Sequence, residues 1–525
     1  MPLAKSRRML AIAHSATLVG VDAQPVRIEV EAARGVPMFE LVGLAEASVR
    51  ESRVRVKSAL SQLGVDLADV HVTVSLAPAD LRKAGSGFDL GIAAAAMAAV
   101  GAVPTEALAD VLFLGELSLA GKVHAIRGVL PHLVSAKARG VSRAVVPRAN
   151  EAEARLMTGI DCRTCDTLEE LGAFLRGDAE LPRPSVQAPN GGAKKEPSWL
   201  SEDFADVRGQ EGAKRALEIA AAGGHNVLFI GPPGTGKTML ARRLPGILPE
   251  LSHEEALEVM ALHSVAGLLP RGNGFSTQRP FRAPHHTISD VALVGGGETP
   301  RPGEVSLAHR GVLFLDELGE YRRAALESLR QPLEDGIVTV SRAHAKATFR
   351  ARAMVVAATN PCPCGHLGRS HVPCRCSKDR IASYRARLSG PLLDRLDLQI
   401  VLAPVEVSSL QSEHGGESSG DIRARVVAAR EVQRARAGTS EEHLNAALSS
   451  RELARVSRLS SECRELLTRA ASALGLSARA YTKVLRVART IADLEGDSSL
   501  SPSHLAEAIS YRALDRERTE ARPAA

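Results

Sequence analysis

Aromatic side chains are scarce, only 3% of the 525 residues. Proteins that hold nucleic acid mainly by stacking bases need such platforms, so stacking is excluded as the chief binding device. No run of about 18 apolar residues occurs, so no membrane-spanning helix is expected. The apolar stretch from Gly91 to Val103 is short and Ala-rich and reads as a core helix. No long apolar region follows the basic N-terminal MPLAKSRRML, so no secretory signal is expected and the chain is placed in the cytoplasm. Seven cysteines in a chain of this length are too few for a disulfide framework and point to thiols or metal ligands. An excess of acid is also missing. The net charge of +6 and a pI near 9.0 permit a polyanionic partner. Hydrophobic content of 45% is ample for real cores, and the length suggests about three domains.

What is present centres on GPPGTGKT, Gly231 to Thr238. The apolar run Asn226 to Ile230 before it reads as a strand, and Met239 to Leu244 after it as a helix. Strand, glycine-rich turn and Gly-Lys-Thr at a helix start make a P-loop. In such a loop the backbone of Gly231, Pro232, Pro233, Gly234, Thr235, Gly236 and Met239 closes on phosphates, and Lys237 adds a full charge. The Thr238 hydroxyl is a Mg²⁺ ligand candidate. Further on, GVLFLDELGE reads as a buried parallel strand ending in Asp316 and Glu317. Asp316 is expected to hold Mg²⁺ through water, and Glu317 to polarise the attacking water. A second buried strand, Met354 to Ala358, leads to Asn360, which is placed to orient that water.

The front of the chain, residues 1–181, alternates strand-like and helix-like runs, with strands at Val26–Val30 and His71–Ser75, helices at 45–63 and 88–100, and a hairpin around Gly121. Two segments, KAGSGFDLGIA (Lys83 to Ala93) and GELSLAGKVHAIRGVLP (Gly115 to Pro131), resemble the Lon protease domain, part of the fold shared with a ribosomal small-subunit protein. In Lon the first carries the nucleophilic serine and the second a lysine. Here the first reads Gly-Phe-Asp-Leu and Leu130 stands where the lysine would be, so the dyad reads as absent and the domain as a scaffold or binding module. Ser86 with Lys83 is the alternative pair. Cys162 and Cys165 read as ordinary thiols.

Residues 182–197, PRPSVQAPNGGAKKEP, read as a linker. An ATPase core is expected over 198–405, a helical lid over 421–515 and a tail over 516–525. Between the acid strand and the Asn360 strand, residues 336–352 alternate on both sides of a turn and read as a hairpin carrying Arg342, His344 and Lys346 near its tip. Cys362, Cys364, Cys374 and Cys376 form two C-x-C pairs within 15 residues, a ligand set suited to structural zinc, with His366 and His371 as alternative ligands and a redox pair as the other reading. Arg395 directly follows Leu-Leu-Asp394 and is a candidate to reach a neighbouring subunit's γ-phosphate.

Together with FRAPHHT (Phe281 to Thr287), ATNPCPCG and SGPLLDRLDL, these motifs resemble the magnesium-chelatase-like AAA+ family over nearly the whole chain. The resemblance implies an α/β chain with a Lon-like front domain, a P-loop AAA+ core and an all-α lid. It implies an ATP- and Mg²⁺-dependent hydrolase assembled as a homo-oligomeric ring, expected as a hexamer. It implies Val207 and Gly209 as adenine contacts, Arg395 as an arginine finger acting in trans, and Arg479 as the lid's sensor. The hairpin matches the insertion that points into the pore in helicase-like AAA+ clades, which makes Arg342, His344 and Lys346 DNA contacts. The leading expectation is a motor on single-stranded or branched DNA, promoting branch migration during recombination and natural transformation. The alternative is the ATPase subunit of a magnesium chelatase in tetrapyrrole metalation. A non-enzymatic adaptor conflicts with the intact ATPase residues, and an ATP-dependent protease with the missing dyad.

Overall fold

A computed structural model of the chain describes residues 9–44, 46–185, 202–269, 275–297, 300–342, 345–368, 372–388, 390–405, 416–438, 444–512 and 514. Residues 186–197 of the expected linker, 408–415, His344, His371, the 516–525 tail and the side chain of Arg342 lie outside them.

The front domain is a seven-stranded sheet with helices packed on it. Its strands are β1 (Met9–Val19), β2 (Asp22–Arg34), β3 (Met38–Val42), β4 (Val70–Ala77), β5 (Val111–Phe113), β8 (Arg143–Pro147) and β9 (Asp161–Cys165), in the order β3-β4-β2-β1-β5-β8-β9. The small ribbon β6 (Glu116–Leu117) and β7 (Val123–His124) is the hairpin expected around Gly121. Helices α1 (Ala47–Gln62) and α2 (Asp89–Ala99) stand where the periodicity puts them. Every residue of α2 is buried, because small alanines let the sheet and α1 approach it closely. Met9–Val19, which carries no strand expectation, is the long central β1. Cys162 and Cys165 are buried on β9, and burial pushes their thiols up, to about 11 and about 12, as suits inert core sulfurs.

The polar side chains of the two Lon-like segments make structural contacts. Asp89 is fully buried and takes the Arg55 guanidinium at 2.6 and 3.1 Å together with the Leu117 N–H at 3.0 Å. Lys83 donates to the Pro78 carbonyl and Ser86 to Glu116, so each is engaged away from the other. Helix α3 (Val129–Ala138) carries Leu130, which packs with Leu156 against Met260 of the next domain. Glu153, on α4 (Glu151–Ala154), accepts from the Leu130 N–H at 2.9 Å and from Ser264 across the same seam. Leu130 is thus a docking residue.

After α5 (Leu168–Arg176), α6 (Glu211–Gly223) leads into a five-stranded parallel sheet, order β11-β14-β17-β10-β18. These strands are β10 (Val227–Ile230), β11 (Phe281–Arg282), β14 (Val312–Leu315), β17 (Met354–Thr359) and β18 (Leu398–Val401). Between them lie α7 (Lys237–Ile247), α8 (His253–Ala266), a short ribbon β12 (Gly295–Gly296) and β13 (Arg301–Pro302), and the hairpin β15 (Ile337–Arg342) and β16 (Ala345–Arg350). Strands β10, β14 and β17 are buried on both faces, as their unbroken apolar runs require.

The C-terminal helices span Ser419–Ala437, Ser461–Leu474, Ala478–Glu495 and Pro502–Ser510. After the last of them Arg512 bridges to Gln399 of β18, and its guanidinium reaches the Leu396 carbonyl at 3.1 Å. These helices share one hydrophobic cluster with α6, β10 and β18, from Phe204 through Val484 and Ile491 to Ile509. No helix among the described residues is long and apolar enough to cross a membrane.

Candidate functional site

Parallel strands bring their C-terminal ends to one edge, and order β14-β17-β10 puts the acid pair, Asn360 and the P-loop side by side there. At the loop, Gly236 (φ 86°) caps α7 in the left-handed region that glycine adopts at little cost. A Cβ on Gly231 would lie 2.9 Å from the Leu402 carbonyl, so the strand-to-loop turn needs a glycine. Lys237 is buried, and its ammonium donates to the Gly231 and Pro232 carbonyls at 2.6 and 2.9 Å and to Asn360 Oδ1 at 3.3 Å. The Thr238 hydroxyl donates to Asp316 Oδ2 at 2.9 Å. The two residues expected to hold Mg²⁺ thus lie in contact, and their donor set of hydroxyl and carboxylate oxygens suits a hard cation.

Glu317 leaves β14 with φ 51°, a left-handed backbone uncommon for a non-glycine residue. Its carboxylate faces His286, with Nδ1 and Oε2 3.0 Å apart. His286 belongs to FRAPHHT, whose first two residues form β11 and whose remainder leaves the sheet at the same edge. That segment is tied down in its first half and at its middle. Arg282 makes a bidentate pair with Glu304 at 2.6 and 2.7 Å, and the Tyr321 hydroxyl donates to the Pro284 carbonyl at 2.8 Å. Burial, then the Asp316 and Glu317 charges, push the Tyr321 phenol up, so it stays a neutral donor. Sequence reasoning took FRAPHHT only as a family marker. A doubled histidine next to a strand was the available signal, but the 31 positions between His286 and Glu317 hid the pairing.

Val207 is buried in the core cluster, so any adenine contact there falls to its backbone; Gly209 follows with φ 64°.

Arg395 and Arg479 lie elsewhere. Arg395 precedes β18, at the N-terminal edge of the parallel sheet, where its carbonyl accepts from Asn226 Nδ2 at 3.3 Å. The length of β10, about 13 Å, separates that edge from the P-loop. Arg395 donates to the Pro391 carbonyl at 2.8 Å and to Glu334 Oε2; Arg479 reaches Glu334 Oε1 at 3.4 Å. One helical turn on, Lys483 grips Asp397 Oδ1 at 2.7 Å and fixes the lid helix to this edge. Both arginines line a cleft of about 750 Å³ that faces away from the P-loop of their own chain.

The four clustered cysteines converge. Cys362, Cys364 and Cys374 have sulfurs 3.4 to 3.6 Å apart, and all four ligand atoms lie within 4.8 Å of one another. Four thiolates about 2.3 Å from a tetrahedral zinc would stand about 3.8 Å apart, so the residues fit that ion. A disulfide would need about 2 Å. The His366 backbone N–H, more than any other group, lowers the Cys364 thiol, while burial and the shared sulfurs push Cys374 and Cys376 up. The module sits against the P-loop: a Cβ on Gly365 would lie 2.8 Å from Pro233.

The hairpin stands as the alternation requires, with Ile337 paired to Arg350 and Arg342 to Ala345. Lys346 is exposed near its tip. Its foot is anchored, since Arg350 pairs with Glu258 on α8. Burial works against the Glu258 charge, but His309, Arg310 and Arg350 outweigh it and hold its pKa down to about 2. The front domain also touches the hairpin, where a Cβ on Gly20 would meet the Thr348 carbonyl at 3.1 Å.

Comparison with known proteins adds to this geometry. Family models described as magnesium chelatase, subunit ChlI; subunit ChlI of Mg-chelatase; and magnesium chelatase, subunit ChlI C-terminal match residues 203–410, 28–150 and 416–512. The chain is 45% identical over 510 residues to the competence protein ComM of Haemophilus influenzae, covering 97% of this chain and 98% of that protein. It is 44% identical over 509 residues, with the same coverage, to the uncharacterized protein YifB of Escherichia coli. Over 150 residues it is 31% identical to Lon protease 2 of Bacillus subtilis, 27% of each chain.

Proposed function

The chain belongs to the magnesium-chelatase-like AAA+ family that includes ComM and YifB, and from that premise we propose that it is a ring-forming cytoplasmic ATPase that drives DNA branch migration in recombination and natural transformation. The observation that carries the ATPase reading is the convergence of Lys237, Thr238, Asp316, Glu317 and Asn360 on one sheet edge, with Arg395 on the other. Lys237 exchanges its two loop carbonyls for the β- and γ-phosphates of ATP. Mg²⁺ held by Thr238 and Asp316 supplies charge neutralisation on the same phosphates. Glu317 polarises the attacking water, and Asn360 orients it from the γ-phosphate side. A ring is required because the Arg395 edge meets only a neighbour's nucleotide.

The DNA reading rests on the hairpin. It lies in the chain between the acid strand and the Asn360 strand, reached from the first through two short helices and leading into the second within three residues, so a shift of the sheet on hydrolysis is passed to it through the chain. Cations at its tip grip phosphates without reading sequence, with an affinity that falls steeply with salt. Arg342→Ala with Lys346→Ala is expected to keep the ring and basal ATPase but to lose DNA stimulation and branch migration. A double variant that migrates branches like the parent would remove the hairpin as the motor's contact. The printed name of the ComM relative points to competence and so supports this reading. The names of the three matching sequence models favour a second one, an ATPase subunit in tetrapyrrole metalation. An ATPase assay with single-stranded, duplex and branched DNA, set against a porphyrin with its partner subunits, separates the two. A parent protein deaf to every DNA and stimulated by the porphyrin system favours the second.

The cysteine module is expected to carry about one zinc per chain, which folds the loop after Asn360. Elemental analysis of protein purified without chelator or oxidant checks this, and a metal-free result for fully reduced protein would sink it.

A further inference from the structure

The carboxylate of Glu334 has no part in the P-loop edge, yet it is shared by two guanidiniums from different parts of the chain. Arg395 comes from the loop before β18, 61 positions away, and Arg479 from the first turn of the helix Ala478–Glu495, 145 positions away. The geometry points to Glu334 as the positioning residue that presents this arginine pair to a neighbouring subunit's γ-phosphate and couples it to the hairpin. The inference rests on the ring-ATPase reading above.

Three observations carry it. The first is the cost of the arrangement. Two cations meet at one carboxylate, and Glu334 and Arg479 are 51% and 61% exposed. The exposed Arg479–Glu334 pair adds little to stability, so fold maintenance does not account for it. The second is that Arg395 is incompletely satisfied. Its side chain is only 14% exposed, and its Nε is buried with no partner among the described residues. Nη1 and Nη2 each make one hydrogen bond, to the Pro391 carbonyl and to Glu334, so each has a second N–H left for another acceptor. The third is the position of Glu334 in the chain. It is the next-to-last residue of the helix Arg330–Asp335, and Gly336 alone separates that helix from β15 of the hairpin. The turn is tight: Gly336 has φ 66°, and a Cβ there would lie 2.7 Å from Arg352 Cγ. A pull on Glu334 therefore reaches the hairpin through two residues.

The chemistry follows from competition between anions. In a lone chain Glu334 neutralises the pair and holds the two guanidiniums side by side. When a neighbour's triphosphate enters the cleft, its larger charge draws both arginines off or along, and Glu334 moves or is released with them. After hydrolysis and phosphate loss the carboxylate recovers its partners. No bond to Glu334 forms or breaks in this cycle, and it never touches ATP, so it acts only through Arg395 and Arg479.

The experiment uses the full-length chain and ATP as the probe. Glu334→Gln is expected to lower kcat by about 10²-fold, the loss typical of a misplaced reactive group, while KM for ATP stays within about threefold because the P-loop is untouched. Glu334→Asp should recover much of the rate. Mixed rings give the readout that a merely structural role would not move. Glu334→Gln mixed with Lys237→Ala should regain activity, since one supplies an intact P-loop and the other an intact arginine edge. Glu334→Gln mixed with Arg395→Ala should regain none, because both are broken on the same edge. A near-parental kcat for Glu334→Gln overturns the inference, as does failure of the first mixture under conditions where Arg395→Ala is rescued by Lys237→Ala. If instead Arg395→Ala itself hydrolyses ATP normally, the in-trans reading fails, and the inference fails with it.

Discussion

Glu317→Gln is expected to bind ATP with nearly unchanged affinity and to hydrolyse it about 10²–10⁴-fold more slowly, the contribution usual for a general base. The substitution keeps the length and shape of the side chain and removes the charge that polarises water. Glu317 lies beyond the groups that hold the phosphates: Lys237 sits on the loop carbonyls, and Thr238 pairs with Asp316. Ground-state binding is therefore spared, and the loss falls on the chemical step. The neighbouring His286 sharpens the test. At 3.0 Å it fixes where the Glu317 carboxylate points, so His286→Ala should give a smaller fall in kcat with the base still present. Nucleotide binding and single-turnover hydrolysis, measured separately, check both. A Glu317→Gln protein that turns over ATP near the parent rate would remove Glu317 as the base.

The parts of the site that were legible in the sequence share one property. The P-loop, the acid pair, Asn360 and the cysteine pairs are each written in consecutive residues whose strand or turn context lies within a few positions. The hairpin and the lid helices were legible for the same reason, since alternation and helical spacing are local. What stayed hidden depends on pairs far apart in the chain. His286 meets Glu317 across a strand crossover, and Glu334 meets Arg395 and Arg479 only after the lid has packed behind the sheet. The lid's placement was itself illegible. Helical periodicity gives the face that is buried but not the partner that covers it, and the shared cluster from Phe204 to Ile509 decides that. The same holds for Leu130. Its apolar type was readable, but its contact with Met260 belongs to a seam between domains.

Arg395→Ala is expected to bind ATP and to hydrolyse it about 10³–10⁵-fold more slowly, the range seen for arginine fingers. The size follows from what the guanidinium does. It supplies positive charge where negative charge develops on the transferring phosphoryl, in a cleft from which water is largely displaced, and this effect is worth far more there than in bulk solvent. The direction follows from place. Arg395 stands at the N-terminal edge of the sheet beside Asn226, while the P-loop leaves the C-terminal edge of β10. Lys483, gripping Asp397 at 2.7 Å, keeps Arg479 on that same far edge. Neither arginine folds back to its own nucleotide without dismantling the core that the lid shares. Rings mixed from Arg395→Ala and Lys237→Ala subunits should therefore hydrolyse ATP where neither protein does alone, because at some interfaces an intact P-loop faces an intact arginine. The regained rate should rise and fall with the mixing ratio, peaking where such interfaces are most frequent. Rings verified as mixed that stay inactive at every ratio would count against action between subunits, and would return the search for the activating charge to the P-loop edge itself.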